Sequence, residues 1–292
     1  MRIFLISAFP EMFQGPFSES MIKRAIERKQ VQIGFGYLRD YAGNDHHTID
    51  DVEFGGSTGM IYRPEPIFQA IEDLKQRHHI DHPRIILTSA RGAIFNQEYA
   101  ARLSTENDLI FICGHYKDVD FRISEHLCTD EISIGDYILT GGELPAMVMI
   151  DAIVRLLPGV LGNNESWESD SFQSGLLDSP RYTRPAQYRE YVVPEVLISG
   201  NHKKIAMWRR QMAEELTRRR RPDLWETYQM NHRGATTTSG ATTTSGATTT
   251  SGATTTSGSA APNRPTKTRR SSAGGSATAT DPCPERSSRM KE

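Results

Sequence analysis

The sequence predicts an α/β fold built on a parallel sheet with helices on both faces. Three observations carry the prediction. Arg84 to Ser89 and Asp108 to Cys113 are uninterrupted apolar runs of strand length, the signature of strands buried on both sides. Helical segments with one apolar face alternate with them, at Pro64 to His78 and Asn96 to Leu103. Both runs end in glycine-bearing loops, Ser89 to Gly92 and Gly114 to Asp118, and ligands of such sheets sit beyond the carboxyl ends of the strands.

Taken in order, Ile3 to Ser7 is the first strand, closed by Phe9-Pro10. Phe17 to Lys29 reads as a helix, because Met21, Ile22, Ala25 and Ile26 recur at helical spacing opposite charged residues. Val31 to Leu38 alternates as a second strand, and the polar stretch Arg39 to Val52 reads as a loop. The glycine-rich segment Phe54 to Met60 lacks both the GxGxxG spacing and a following Lys-Ser/Thr, so it is neither a dinucleotide fingerprint nor a phosphate loop. Pro64 and Pro66 suit the first turn of the next helix, where no intrahelical N–H is needed.

Glu131 to Pro145, EISIGDYILTGGELP, is the stretch around which the rest is organised. It reads as a strand, a bend at Gly135-Asp136, a second short strand at Tyr137 to Leu139, a glycine loop and a helix starting at Glu143. Two glycine sites this close leave a surface where a ligand can approach the backbone. Alone, the stretch is equally an ordinary strand-loop-helix joint; the convergence of the Ser89 and Gly114 loops on the same sheet edge favours a binding site. Glu143 to Leu157 carries the helix, with Arg155 in the last turn where the dipole favours a cation.

Leu161 to Phe172 is polar and acidic, with Glu165, Glu168 and Asp170, as expected of a linker. Beyond it the sequence predicts a small unit with a turn at Asp178 to Pro185, a strand near Tyr191 to Val196, a loop at Ser199 to His202 and a helix from Lys203 through Arg218. GATTTS then repeats four times from Gly234 to Ser257 without apolar positions, which predicts a disordered tail. The organisation is therefore 1–160, a linker at 161–173, a small unit at 174–232 and the tail at 233–292.

A formal net charge of −2 argues against nucleic-acid binding through overall charge, yet Lys203, Lys204, Arg209, Arg210 and the run Arg218 to Arg221 concentrate positive charge near the end of the globular region. No apolar run is long enough to span a bilayer, and the N-terminus lacks a signal-peptide cleavage pattern, so a cytoplasmic protein is expected. Cys113, Cys128 and Cys283 show no metal-ligand spacing and make a poor disulfide framework.

Several motifs agree in order and spacing with one family. GHYKDVD at Gly114 to Asp120, SIGDYILTGGELPAM, RLLPGVLG, DSF followed by GLLDSPRYTRP, and LISGNHKKIAMWRR together resemble the bacterial tRNA (guanine-N1)-methyltransferases of the SPOUT superfamily over residues 1 to about 225. The resemblance implies a SPOUT-type parallel sheet whose C-terminal part is tied into a deep trefoil knot, plus a small mainly helical C-terminal domain that binds tRNA. General topology rules treat knots as nearly absent, so only the resemblance brings one in. It also implies a homodimer with shared active sites, and methyl transfer from S-adenosylmethionine to N1 of guanosine 37, just 3′ of the anticodon.

Residue by residue, the resemblance assigns Asp170 as the base that removes the N1 proton and Arg155 as the cation that stabilises charge on guanine O6. Read without it, Asp170 is a solvated linker carboxylate and Arg155 complements a helix dipole. For S-adenosylmethionine it implies Ser89, Gly114, Ile134, Gly135, Tyr137, Leu139, Gly141, Gly142 and Pro145; for the RNA substrate it points to His115, Lys117, Tyr182, Arg184 and His202. Trp208 fits core packing better than base stacking. Mg2+ dependence is implied by the resemblance alone. Many members have Arg, Glu and Gly where this chain has His115, Lys117 and Asp118, and Pro where it has Thr58 and Ala90. Those departures motivate an alternative, an RNA-binding protein that keeps the fold without catalysis. A SPOUT methyltransferase acting on rRNA is another.

Overall fold

The computed structural model describes residues 1–56, 58–161 and 170–236, all within one compact unit, Met1–Gly240. The elements begin with β1 (Arg2–Ser7), a 3-10 turn at Pro10–Phe13, α1 (Gln14–Phe17), α2 (Ser20–Glu27), β2 (Gln32–Tyr37) and a 3-10 turn at Leu38–Tyr41. There follow β3 (Asp50–Val52), β4 (Met60–Tyr62), α3 (Pro64–His78), β5 (Arg84–Ile94), α4 (Gln97–Leu103) and β6 (Asp108–Cys113). Then come β7 (Asp118–Val119), α5 (Phe121–His126), β8 (Asp130–Ser133) and α6 (Glu143–Val154). The last part holds β9 (Gln187–Tyr188), β10 (Tyr191–Val192), α7 (Glu195–Ile198), α8 (His202–Arg220) and α9 (Pro222–Thr236).

The central sheet is parallel throughout, in the order β2-β1-β6-β5-β8. Successive side chains of each strand enter opposite cores, as the period of two requires. Ile3, Leu5, Leu109, Phe111 and Cys113 pack under α2, α4 and α6, whereas Phe4, Ile6, Ile110 and Ile112 pack under α3 and α5. The continuous apolar runs Ile3 to Ile6 and Leu109 to Cys113 are thereby explained. A smaller sheet, β3-β4-β7, hangs the loop after β6 from the segment before α3.

Several expectations need correction. The helix read from Phe17 to Lys29 is broken: Glu19 is extended and Ser20 has φ 56°, which separates α1 from α2. β5 continues past Ser89 to Ile94, and its register with β8 slips between Thr88 and Ala93, so the expected loop is a bulge within a strand. Tyr137 to Leu139 is not a strand; Gly135 turns the chain away at φ 150° and these side chains lie exposed. α5 was not expected. Asp120 starts it by accepting a hydrogen bond from the Arg122 N–H, an N-cap hidden inside an otherwise polar stretch.

α6 ends at Val154, with Arg155 as its C-cap. The strand expected over Tyr191 to Val196 is cut to a two-residue hairpin arm, because Pro194 caps α7 instead. α8 runs from His202 to Arg220, and α9 reaches Thr236, past the expected start of the tail. The linker carboxylates Glu165 and Glu168 and the GATTTS repeats from Thr237 onward lie outside the described residues. No helix among the described residues is long and apolar enough to cross a membrane.

Candidate active site

Beyond the carboxyl ends of β5, β6 and β8 lies a cavity of about 140 Å³. All of Ser89, Gly114, Ile134, Gly135, Tyr137, Leu139, Gly141, Gly142 and Pro145 line it, together with His115 and Lys117. The β5 bulge supplies one wall, the loop before β7 another, and the segment from β8 to α6 the floor and rim. The two glycine loops are zipped together: Gly142 N–H donates to the Gly114 carbonyl at 2.7 Å, and His115 pairs with Gly141 as an isolated antiparallel bridge.

Glycine is required at Gly142, where a Cβ would come within 2.0 Å of Thr88 Oγ1 and 2.9 Å of the Cys113 Cα and Gly114 N. At Gly141 a Cβ would meet Glu143 Oε2 at 2.4 Å and His115 Nδ1 at 2.5 Å. The backbone therefore forms part of the cavity surface.

Beneath the cavity is a buried polar row. Ser7 Oγ, at the end of β1, accepts from the Phe9 N–H and donates to Glu143 Oε1 at 2.7 Å. Glu143 is 0% exposed at the first turn of α6, and its Oε2 faces His115 Nδ1 at 3.9 Å; neither of those two atoms has a hydrogen bond. The Tyr62 phenol is also buried, and burial first, then the field of Glu143, hold its proton well above the usual tyrosine range.

The loop walls are tied by Arg91, which pairs with Asp118 at 2.9 Å and Glu131 at 3.4 Å. Asp118 also accepts from the Val119 N–H. Asp118 thus links the bulge of β5 to the start of β7. Burial opposes the charge of Glu131, but hydrogen bonds from Ser124 and Ser89 and the charge of Arg91 hold its carboxyl below the usual range.

Arg155 and Asp170 meet elsewhere. Arg155 Nη2 donates to Asp170 Oδ2 at 2.7 Å, and Arg181 approaches the other carboxylate oxygen at 3.8 Å. Asp170 lines a second cavity, of about 840 Å³, with Tyr182, Arg184, Arg209, Arg210, Tyr228 and His232. Tyr182 packs against the half-buried Trp208 with ring centroids 6.4 Å apart. His202, exposed at the start of α8, lines neither cavity. One chain therefore gathers the residues expected for the methyl donor in one cavity and Asp170, Tyr182 and Arg184 in another.

Sequence reasoning missed Glu143 and Arg91. A carboxylate just after a glycine pair at a helix start looks like an ordinary complement to the dipole, and only the neighbouring β1 and His115 show that it is buried. Among the described residues no group of three His, Cys, Asp or Glu side chains could hold a metal ion.

A family profile described as tRNA (Guanine-1)-methyltransferase TrmD matches residues 1–227. Curated relatives include a tRNA (guanine-N(1)-)-methyltransferase of Desulforamulus reducens, 49% identical over 231 residues, 79% of this chain and 91% of that protein. The Staphylococcus epidermidis protein of the same name is 50% identical over 80% of this chain and 94% of its own length. That of Anoxybacillus flavithermus is 52% identical over 79% and 94%.

Proposed function

The chain belongs to the tRNA (guanine-1)-methyltransferase family, and on that premise we propose that it transfers a methyl group from S-adenosylmethionine to N1 of guanosine 37 in tRNA, just 3′ of the anticodon. The observation that carries this reading is the single cavity lined by every residue expected to hold the methyl donor. Its glycine backbone leaves polar groups accessible, and Ile134, Tyr137 and Leu139 offer apolar surface to a purine. S-adenosylmethionine supplies an electrophilic methyl on a positively charged sulfur, which leaves as a neutral thioether when N1 takes the methyl.

Asp170 and Arg155 serve the acceptor. Guanine presents N1–H and O6 side by side on one edge, a donor next to an acceptor. A carboxylate and a guanidinium already in contact match that edge: Asp170 accepts the N1 proton while Arg155 donates to O6 as negative charge grows there. Binding the base exchanges the Arg155–Asp170 hydrogen bond for two to guanine.

Two features support a homodimer with shared sites. Asp170 is absent from the lining of the donor cavity, and 140 Å³ falls short of the roughly 300 Å³ at which small-molecule pockets begin. Leu144 and Val148 are 47% and 52% exposed on α6, beside that cavity, so a second copy would cover apolar surface there and bring its own Asp170. In this reading 1–160 is the knotted methyltransferase domain, 161–173 a linker, 174–232 the tRNA-binding domain and 233–292 a dispensable tail. Tyr182, Arg184 and His202, with Lys203, Lys204 and Arg218 to Arg221, hold the RNA, Lys117 and His115 lie where the target base arrives, and the protein works in the cytoplasm.

The test is incubation with methyl-labelled S-adenosylmethionine and tRNA transcripts carrying guanosine or adenosine at position 37. Label should enter only the guanosine transcript, as 1-methylguanosine. RNA retention without label would leave an RNA-binding protein, and label preferring rRNA fragments in competition would redirect the substrate.

A further inference from the structure

We propose that Glu143 is a positioning residue that fixes the ring of His115, so that His115 presents Nε2 to the donor cavity as a hydrogen-bond acceptor for the methyl donor. The inference rests on the S-adenosylmethionine reading of that cavity.

The argument starts from what burial demands. A polar atom removed from water without a partner costs about 1–3 kcal/mol, so two such atoms facing each other imply a shared use. Glu143 Oε2 and His115 Nδ1 are such a pair at 3.9 Å. The Glu143 side is set by Ser7: its hydroxyl accepts from Phe9 and so directs its single proton to Oε1, which leaves the carboxyl as an acceptor toward β1. Its place in the first turn of α6 favours a negative group. An acceptor at Oε2 selects the His115 tautomer with hydrogen on Nδ1, and the other nitrogen must then accept.

The ring itself is held. Phe9 packs on it with centroids 4.8 Å apart and Tyr116 edge-on at 5.1 Å. Its Nδ1 is buried, while the side chain as a whole is 23% exposed and lines the cavity. The absent side chain of Gly141 keeps the space between Nδ1 and Oε2 open, since a Cβ there would lie within 2.5 Å of both. An acceptor in this wall suits a ribose hydroxyl or an ammonium of the donor.

The experiment separates these roles with amide isosteres. A glutamine at His115 places its amide near Nε2, and an asparagine places it near Nδ1. Calorimetry with S-adenosylmethionine should show His115→Gln close to wild type and His115→Asn weaker by about tenfold, the size of one lost hydrogen bond. Methylthioadenosine, which keeps the ribose but lacks the amino-acid part, assigns the contact: a tenfold loss there too means a ribose hydroxyl, no loss means the ammonium. In parallel, nitrogen-15 NMR of the free protein should show the Nδ1–H tautomer of His115, and Glu143→Gln should mix the tautomers. Equal affinities for the two His115 variants, or an Nε2–H tautomer in wild type, would overturn the proposal. Wild type that fails to bind S-adenosylmethionine would instead sink the functional reading, while the NMR still decides the role of Glu143.

Discussion

Arg155 at the end of α6 hydrogen-bonds Asp170 at 2.7 Å, so the two groups assigned to the acceptor base occupy each other in the free chain. Neither lines the donor cavity. The pair explains how an aspartate within the linker is held in place: a helix C-cap fixes the guanidinium, and the guanidinium fixes the carboxylate.

Removing the carboxylate should therefore affect chemistry and not donor binding. Asp170→Ala is expected to lower single-turnover methyl transfer by at least about a hundredfold, the range for losing a general base. Calorimetry should give an unchanged affinity for S-adenosylmethionine; lost affinity would make Asp170 a structural residue.

Arg155→Lys keeps the charge but loses the planar fork that can face a carboxylate and a carbonyl oxygen. Transfer should fall by on the order of a hundredfold. A merely electrostatic role would leave the lysine variant near wild type.

Gly142→Ala should damage both fold and donor cavity, because the new Cβ would press on the backbone of Cys113 and Gly114 as well as on Thr88 Oγ1. Overpacking of this kind costs about 1–3 kcal/mol, readable in thermal unfolding, and donor binding should fail with it. Gly15→Ala is the control, since a Cβ there meets nothing within 4 Å.

Asp130 ties the sheet to acid stability. Burial opposes its charge, but hydrogen bonds from Thr129, Tyr99 and Arg84 prevail and hold its carboxyl below the usual range. Its contribution is complete above the unfolded value of roughly 3.9 and disappears as the pH falls through the lower folded value. Asp130→Asn should lose on the order of 1 kcal/mol at pH 6, modest because Arg84 is 39% exposed, and flatten the decline below about pH 4. Thermal unfolding across that range checks it.

The cavity beyond the strand ends was legible because parallel strands announce themselves as continuous apolar runs and their ligands gather at one edge: Ser89, Gly114 and Gly135 are each a local signal. What was hidden depends on contacts distant in sequence. Glu143 is buried by Ser7 and His115, Asp118 finds its role through Arg91, and the second cavity joins Asp170 and Arg184 to Arg209 and Tyr228. α5 was missed because its cap, Asp120, sits in a polar stretch that reads as loop. The break at Ser20 is a backbone conformation that no side-chain periodicity reports.

The most direct test of the account is a mixed dimer, purified with two tags, of one Asp170→Ala subunit and one Gly141→Val subunit. Each parent should be inactive. If the donor cavity of one copy works with Asp170 of the other, the mixed dimer has one intact site and recovers about half of wild-type transfer to tRNA. A mixed dimer as inactive as its parents would place base and donor within one chain and contradict the account.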